Sequence, residues 1–217
     1  TVAREGYSPE RIEVIYNGYD PGNYSLPEET GTVVPQGDML KLVLVANIRA
    51  VKRIQDAIRA LARLSESYPD TVLCIIGDGD QTTLTDLSLK LGIHENVRFL
   101  GPRSDVRALL PAFDVGLLCS ESEGFSNTLI EYLSAGLAVS CTEVGGNPEI
   151  IEHGVTGLLY PAGDITALAD NLIKLAREPA TRAAMGKAGR ERVQKEYSLP
   201  LMIARHEAVY ATLSGSN

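Results

Sequence analysis

The chain has 217 residues, 44% hydrophobic and 22% charged, with 20 basic against 28 acidic side chains and a net charge of −8. That length suits one well-buried domain, or two small ones at most, of ordinary globular composition. The acidic balance excludes a general nucleic-acid binder, which needs a basic face, and no apolar run approaches the ~18 residues of a membrane helix.

The chain opens on Thr1 rather than Met and is expected to be a piece of something longer. Ser8-Pro9-Glu10 predicts a short turn of helix and Ile12 to Tyr16 a short strand, broken at Asn17-Gly18. Pro21 to Asp38 reads as loop. Lys41 to Asn47 is an apolar run of buried parallel-strand type, and Ile54 to Leu64 repeats apolar residues on one helical face. Thr71 to Gly77 is the next strand, closed by Asp78-Gly79-Asp80. Leu84 to Leu91 reads as a helix ended by Gly92, and Val97 to Gly101 as a strand. A short helix over Asp105 to Phe113 precedes a strand over Asp114 to Cys119 and a helix from about Ser126. Ala138 to Thr142 is a strand, Asn147-Pro148-Glu149 a helix start, and Gly157 to Tyr160 a last short strand. Helices over Ile165 to Arg177, Ala180 to Glu196 and Leu199 to Leu213 close the chain. Strand and helix alternate throughout, which predicts an α/β fold: a doubly wound, Rossmann-like parallel sheet covered on both faces.

Ligands in such sheets bind at the carboxyl ends of the strands. Four loops leave those ends: Asn47 to Arg53, Gly77 to Asp80, the turn from Ser120, and Thr142 to Asn147. The first carries Arg49, Lys52 and Arg53, cations suited to a diphosphate. Gly77-Asp78-Gly79-Asp80 is neither a complete dinucleotide fingerprint nor a metal site, and reads as a glycine turn. His94, His153 and His206 are scattered without metal-ligand spacing. Cys74, Cys119 and Cys141 each fall in an apolar run, as buried thiols in a reducing cytoplasm would.

Glu123 and Glu131 stand in the turn and helix after the Asp114 to Cys119 strand, with seven residues between them. Gly124 admits close approach to the backbone, and Ser126 or Asn127 is the expected N-cap, so the next amides form an anion site. Paired carboxylates first suggest a glycosidase. Glu131, however, shares its helix face with the smaller Asn127, Thr128 and Ala135, and so is expected to look outward toward ligand hydroxyls.

The pattern S-x-x-E-G-F-[SG]-x-x-x-x-E-x-x-[SA]-x-G over Ser120 to Gly136 resembles the signature of the retaining family 4 (group 1) glycosyltransferases of GT-B fold. VIYNGYD (Val14 to Asp20), IIGDGD, NVRFLG, GGNPEII and GVTGLLYPAGD are similar to further family segments, in the family's order. The resemblance implies the second, donor-binding domain of a hexosyltransferase, the acceptor site lying on a missing N-terminal domain. Residues 1–38 would be interdomain connection and loop, 39–198 the nucleotide-sugar-binding domain, and 199–217 a helix packing back on the missing domain. It further implies that Glu131 accepts from the donor ribose and that Glu123 lies near the transferred sugar. The amides of Gly124, Phe125, Ser126 and Asn127 would hold the diphosphate with Lys52 and Arg49, and the chain at Arg98 and Phe99 would meet the base. Ala46-Asn47 stands where the family often has Gly-Arg, so Asn47 or Arg49 fills the arginine role. The implied donor is a UDP-sugar, with a GDP-sugar the alternative, and no cofactor or metal is expected. The parent enzyme would be cytoplasmic, with any contact at the inner face of the membrane made through the missing domain. Two other readings stay open: a nucleotide-sugar-binding module inactive by itself, and a sugar-nucleotide epimerase.

Overall fold

The computed structural model describes Ser8, residues 12–20 and residues 33–214. The turn expected at Ser8-Pro9-Glu10 and most of the Pro21 to Asp38 loop lie outside the described residues. Strands β1 (Lys41–Val45), β2 (Val72–Ile76), β3 (Val97–Gly101), β4 (Val115–Leu118), β5 (Ala138–Thr142) and β6 (Gly157–Tyr160) form one sheet. All five pairings are parallel, in the order β3-β2-β1-β4-β5-β6. Chain order reverses between β1 and β4, so the crevice for a ligand is expected there.

Helices α1 (Ile54–Ser65), α2 (Thr82–Lys90), α3 (Val106–Leu109), α4 (Asn127–Ala135), α5 (Asn147–Ile150), α6 (Ile165–Arg177), α7 (Pro179–Glu196) and α8 (Leu199–Ser214) alternate with the strands and then close the chain. The period of two along each strand divides the core. Leu42, Leu44, Leu73 and Ile75 face one layer with Ile58 and Leu61 of α1 and Leu168 and Leu172 of α6. Val43, Cys74 and Ile76 face the other, with Leu129, Tyr132 and Leu133 of α4 and Val193 of α7. The connections after β1 and β4 thus leave for opposite faces, and the crevice opens between them.

Tyr132 fixes the floor of that crevice. It is fully buried, and a Cβ on Gly116 of β4 would run into its ring. The register of β1 on β4 runs from Leu42↔Val115 to Leu44↔Leu117. One residue on, the Val45 N–H donates to the Tyr132 hydroxyl at 2.7 Å. The hydroxyl thus takes up a backbone donor at the edge of the switch point.

Several expected boundaries shift for local reasons. Ile12 to Tyr16 forms no strand. The backbone pairing comes later in the chain, at Tyr19, whose N–H donates to the Tyr197 carbonyl at 2.7 Å and whose carbonyl accepts from Leu199 N–H at 3.1 Å. Helix α2 starts at Thr82 rather than Leu84, because the Asp80 carboxylate accepts from both the Thr82 amide and hydroxyl. The helix begun at Asn147 lasts four residues, ended by the extended backbone of Ile151. Helix α8 buries none of its residues, and Ile203, Tyr210 and Leu213 are exposed. No described helix is long and apolar enough to cross a membrane.

Candidate functional site

The loop after β1 becomes a 3-10 turn over Ala50–Lys52 and then α1. Arg53 makes the junction in left-handed conformation at φ 46, unlike any other non-glycine described residue. Its side chain is tied down by Asp56, whose carboxylate accepts from Nε at 2.7 Å and is itself buried. That contact also raises the Arg53 pKa. The turn directs Lys52 toward β4.

There Lys52 Nζ donates to Glu123 Oε1 at 2.6 Å, the two side chains 27% and 13% exposed. The backbones of the two loops also meet, Glu121 N–H donating to the Val51 carbonyl at 2.8 Å. A third loop braces the turn from behind. Gly146 N–H donates to the Gly124 carbonyl at 2.8 Å, and a Cβ on Gly145 would overlap the Glu123 carbonyl. On Gly124, by contrast, a Cβ would meet nothing within 4 Å, so the turn is open on that side.

Ser126 is the N-cap residue of α4 by backbone conformation, but its side chain makes no capping bond. Of the two expected N-cap residues Ser126 holds the position, and Asn127 is the first helical residue, its Oδ1 accepting from Asn17 Nδ2 at 3.1 Å. The first amides of α4 carry no side-chain cap, and the positive end of the helix dipole stands beside Lys52 and Glu123. Phe125 turns its ring onto Tyr16, 5.0 Å between centroids and 21° from parallel. Tyr16 donates to Glu149 Oε2 at 2.6 Å, and that bond raises its hydroxyl pKa.

Glu131 is paired from the neighbouring short helix. Arg107 Nε lies 3.5 Å from its Oε1, and the Arg107 guanidinium stacks 4.7 Å above the Tyr19 ring. A cavity of about 230 Å³ adjoins it, lined in part by Asn17, Tyr19, Asn127 and Met202. Asn47 Oδ1 accepts from the Asp78 amide at 3.1 Å, whereas Arg49 is exposed. Phe99 lines a cavity of about 400 Å³ with Gly101, Pro102 and the Gly77 to Thr82 loop. Arg98, in mid-strand, does not line it. A larger hollow of about 830 Å³ lies at the opposite end of the sheet, where Asp114 pairs with Arg182, remote from these loops.

The structure therefore brings Lys52, Glu123, Gly124 and the start of α4 together at the switch point. The bracing role of Gly145 and Gly146 was carried in the sequence only by the GGNP run. Arg107 bore no signal, being one surface residue of a short helix.

Residues 28–192 match the family model of the glycosyl transferases group 1. N-acetyl-alpha-D-glucosaminyl L-malate synthase of Bacillus anthracis is 34% identical over 206 residues, covering 92% of this chain and 53% of that protein. The chain spans about half the length of the curated relatives it matches. In fold it is similar to Anabaena Alr3699/HepE, solved in complex with UDP, at TM-score 0.86 and 24% identity, covering 98% of this chain and 60% of that one. It is also similar to the C-terminal domain of the group 1 family protein LpcC of Francisella tularensis, at TM-score 0.74 and 23% identity, covering 84% of this chain and 100% of that one. The chain belongs to the group 1 glycosyl transferases, and its parallel α/β sheet is that of the second domain of their GT-B fold.

Proposed function

We propose that this chain binds a nucleoside diphosphate sugar, and that the full-length protein transfers the sugar to an acceptor hydroxyl with retention of configuration. The observation that carries the reading is the 2.6 Å Lys52–Glu123 pair at the switch point, beside the uncapped start of α4. In this reading the amides of Gly124, Phe125, Ser126 and Asn127 receive the diphosphate, with Lys52 and Arg49 supplying positive charge. Glu131 accepts from the ribose hydroxyls, and Glu123 lies against the transferred sugar. The cavity beside Phe99 supports a base site among Gly101, Pro102 and the Gly77 to Thr82 loop. The Anabaena complex makes UDP the first nucleotide to test, with GDP as the alternative base to compare.

Transfer breaks the bond between the anomeric carbon and a diphosphate oxygen and forms one from that carbon to the acceptor oxygen. Both bonds lie on the same face of the sugar, which retains configuration. The acceptor proton passes to an oxygen of the departing diphosphate, so no protein base is needed. Negative charge grows on the diphosphate as it leaves, and fixed positive groups oppose that growth most in the transition state. Lys52, Arg49 and the start of α4 are those groups here.

Lys52→Ala in the full-length protein is expected to lower transfer by about a hundredfold or more, the usual cost of losing one such stabilising group. The measurement is sugar transferred per enzyme at saturating donor. Unchanged turnover overturns the role given to Lys52.

A further inference from the structure

Resting on the reading of Glu131 as the ribose acceptor, we propose that Arg107 is a positioning residue. Held over the Tyr19 ring, it fixes the Glu131 carboxylate for the ribose hydroxyls, so ribose recognition is set from the segment Tyr16 to Asp20.

The Glu131 side chain is 21% exposed, and the described residues give its carboxylate one hydrogen-bonding partner, Arg107. The contact is end-on, from a single guanidinium N–H to Oε1 at 3.5 Å. A carboxylate has about four acceptor positions, so the remaining ones, Oε2 included, stay available to a vicinal diol. The adjoining 230 Å³ cavity gives such a diol room.

Arg107 could not do this alone, because its side chain is 59% exposed and long enough to wander. Tyr19 supplies the anchor. Its ring lies 4.7 Å from the guanidinium carbon, within cation–π range. Tyr19 is 6% exposed and held by backbone bonds to Tyr197 and Leu199. A buried, doubly held tyrosine thus steadies a surface arginine.

Neighbouring contacts give the same segment further hold on α4. The Tyr16 ring stacks on Phe125, and the Asn17 amide donates to Asn127. Two residues of the segment, Tyr16 and Asn17, therefore engage the turn and helix that carry the donor groups, and a third, Tyr19, holds Arg107. Movement of the segment would shift Arg107 and the start of α4 together.

The test compares UDP with 2′-deoxy-UDP and 3′-deoxy-UDP by calorimetry on the full-length protein, with GDP and its deoxy forms in parallel. The unsubstituted protein is expected to bind the deoxy forms about tenfold or more weakly, the usual cost of a lost hydrogen bond to a charged group. Arg107→Ala is expected to shrink that ratio to about threefold or less, through loss of the full diphosphate's advantage rather than a gain by the deoxy forms. Arg107→Lys keeps the charge but not the planar fork, and recovers part of the ratio. Tyr19→Phe keeps the ring and with it the ratio. A folded Arg107→Ala protein with the unsubstituted ratio overturns the inference and leaves the functional reading standing. An unsubstituted protein that binds neither diphosphate, or does not distinguish ribose from its deoxy forms, overturns the reading of Glu131 and the inference with it.

Discussion

At the scale of single residues the site is held by close backbone contact as much as by charge. Gly145 adopts φ 53, and its α-carbon lies so near the Glu123 carbonyl that no side chain fits between them. Gly145→Ala would pay the left-handed backbone penalty and also push on the residue that meets Lys52. We expect a loss of about 1–3 kcal/mol in stability and a lower transfer rate, read by denaturant unfolding and turnover on the same protein. A variant as stable and as active as the parent would show that the turn does not need this support. Arg53 adopts a similar backbone conformation without being glycine. Its side chain is ion-paired with buried Asp56, and its backbone hydrogen-bonds to Ala50 and Asp56.

At the scale of elements, β1 and β4 form the switch point and Tyr132 of α4 seals it. The hydroxyl accepts from Val45 N–H at 2.7 Å, while the ring occupies the space left by Gly116. Tyr132→Phe keeps the ring and removes that acceptor, together with the hydroxyl's own donation to the Leu117 carbonyl at 3.4 Å. Stability is expected to fall by about 1–2 kcal/mol, because the part-buried amide loses its partner. Thermal or denaturant melting measures it, and an unchanged midpoint would show that water replaces the hydroxyl. The helix α4 thus serves two faces of the site. Its start presents bare amides, and its middle carries Glu131 and packs the sheet beneath.

At the scale of the whole molecule, two apolar layers enclose the sheet and bury all three cysteines. Burial raises the Cys74 thiol to about 11 and the Cys119 thiol to about 12, from an ordinary value of 9.0. The unfolded chain gives up those protons first as pH rises, so the folded state binds more protons than the unfolded in that window. Stability is therefore full below about pH 9 and declines as pH climbs toward 11 and 12. Melting temperature against pH checks this, and a flat profile across that window would contradict it. The same burial leaves these thiols neutral near neutral pH, and so without a nucleophilic role.

How much of this was legible beforehand differs between fold and site. The six strands are apolar runs bounded by glycine, proline or acidic turns, and a parallel sheet buried on both faces demands that pattern. The alternation with helices therefore determined the fold class, and the Glu123 to Glu131 spacing with Lys52 determined which loops to compare. Local rules did not extend to Ile12 to Tyr16, which forms no strand, while Tyr19 just beyond it pairs with Tyr197 and Leu199, nearly the whole chain away. Nor did they reach Arg107, which gains its position only when α3, α4 and Tyr19 come together. Periodicity reports which face of an element is buried, and that property is local. Which charge meets which carboxylate depends on strand order, and only the folded sheet decided it.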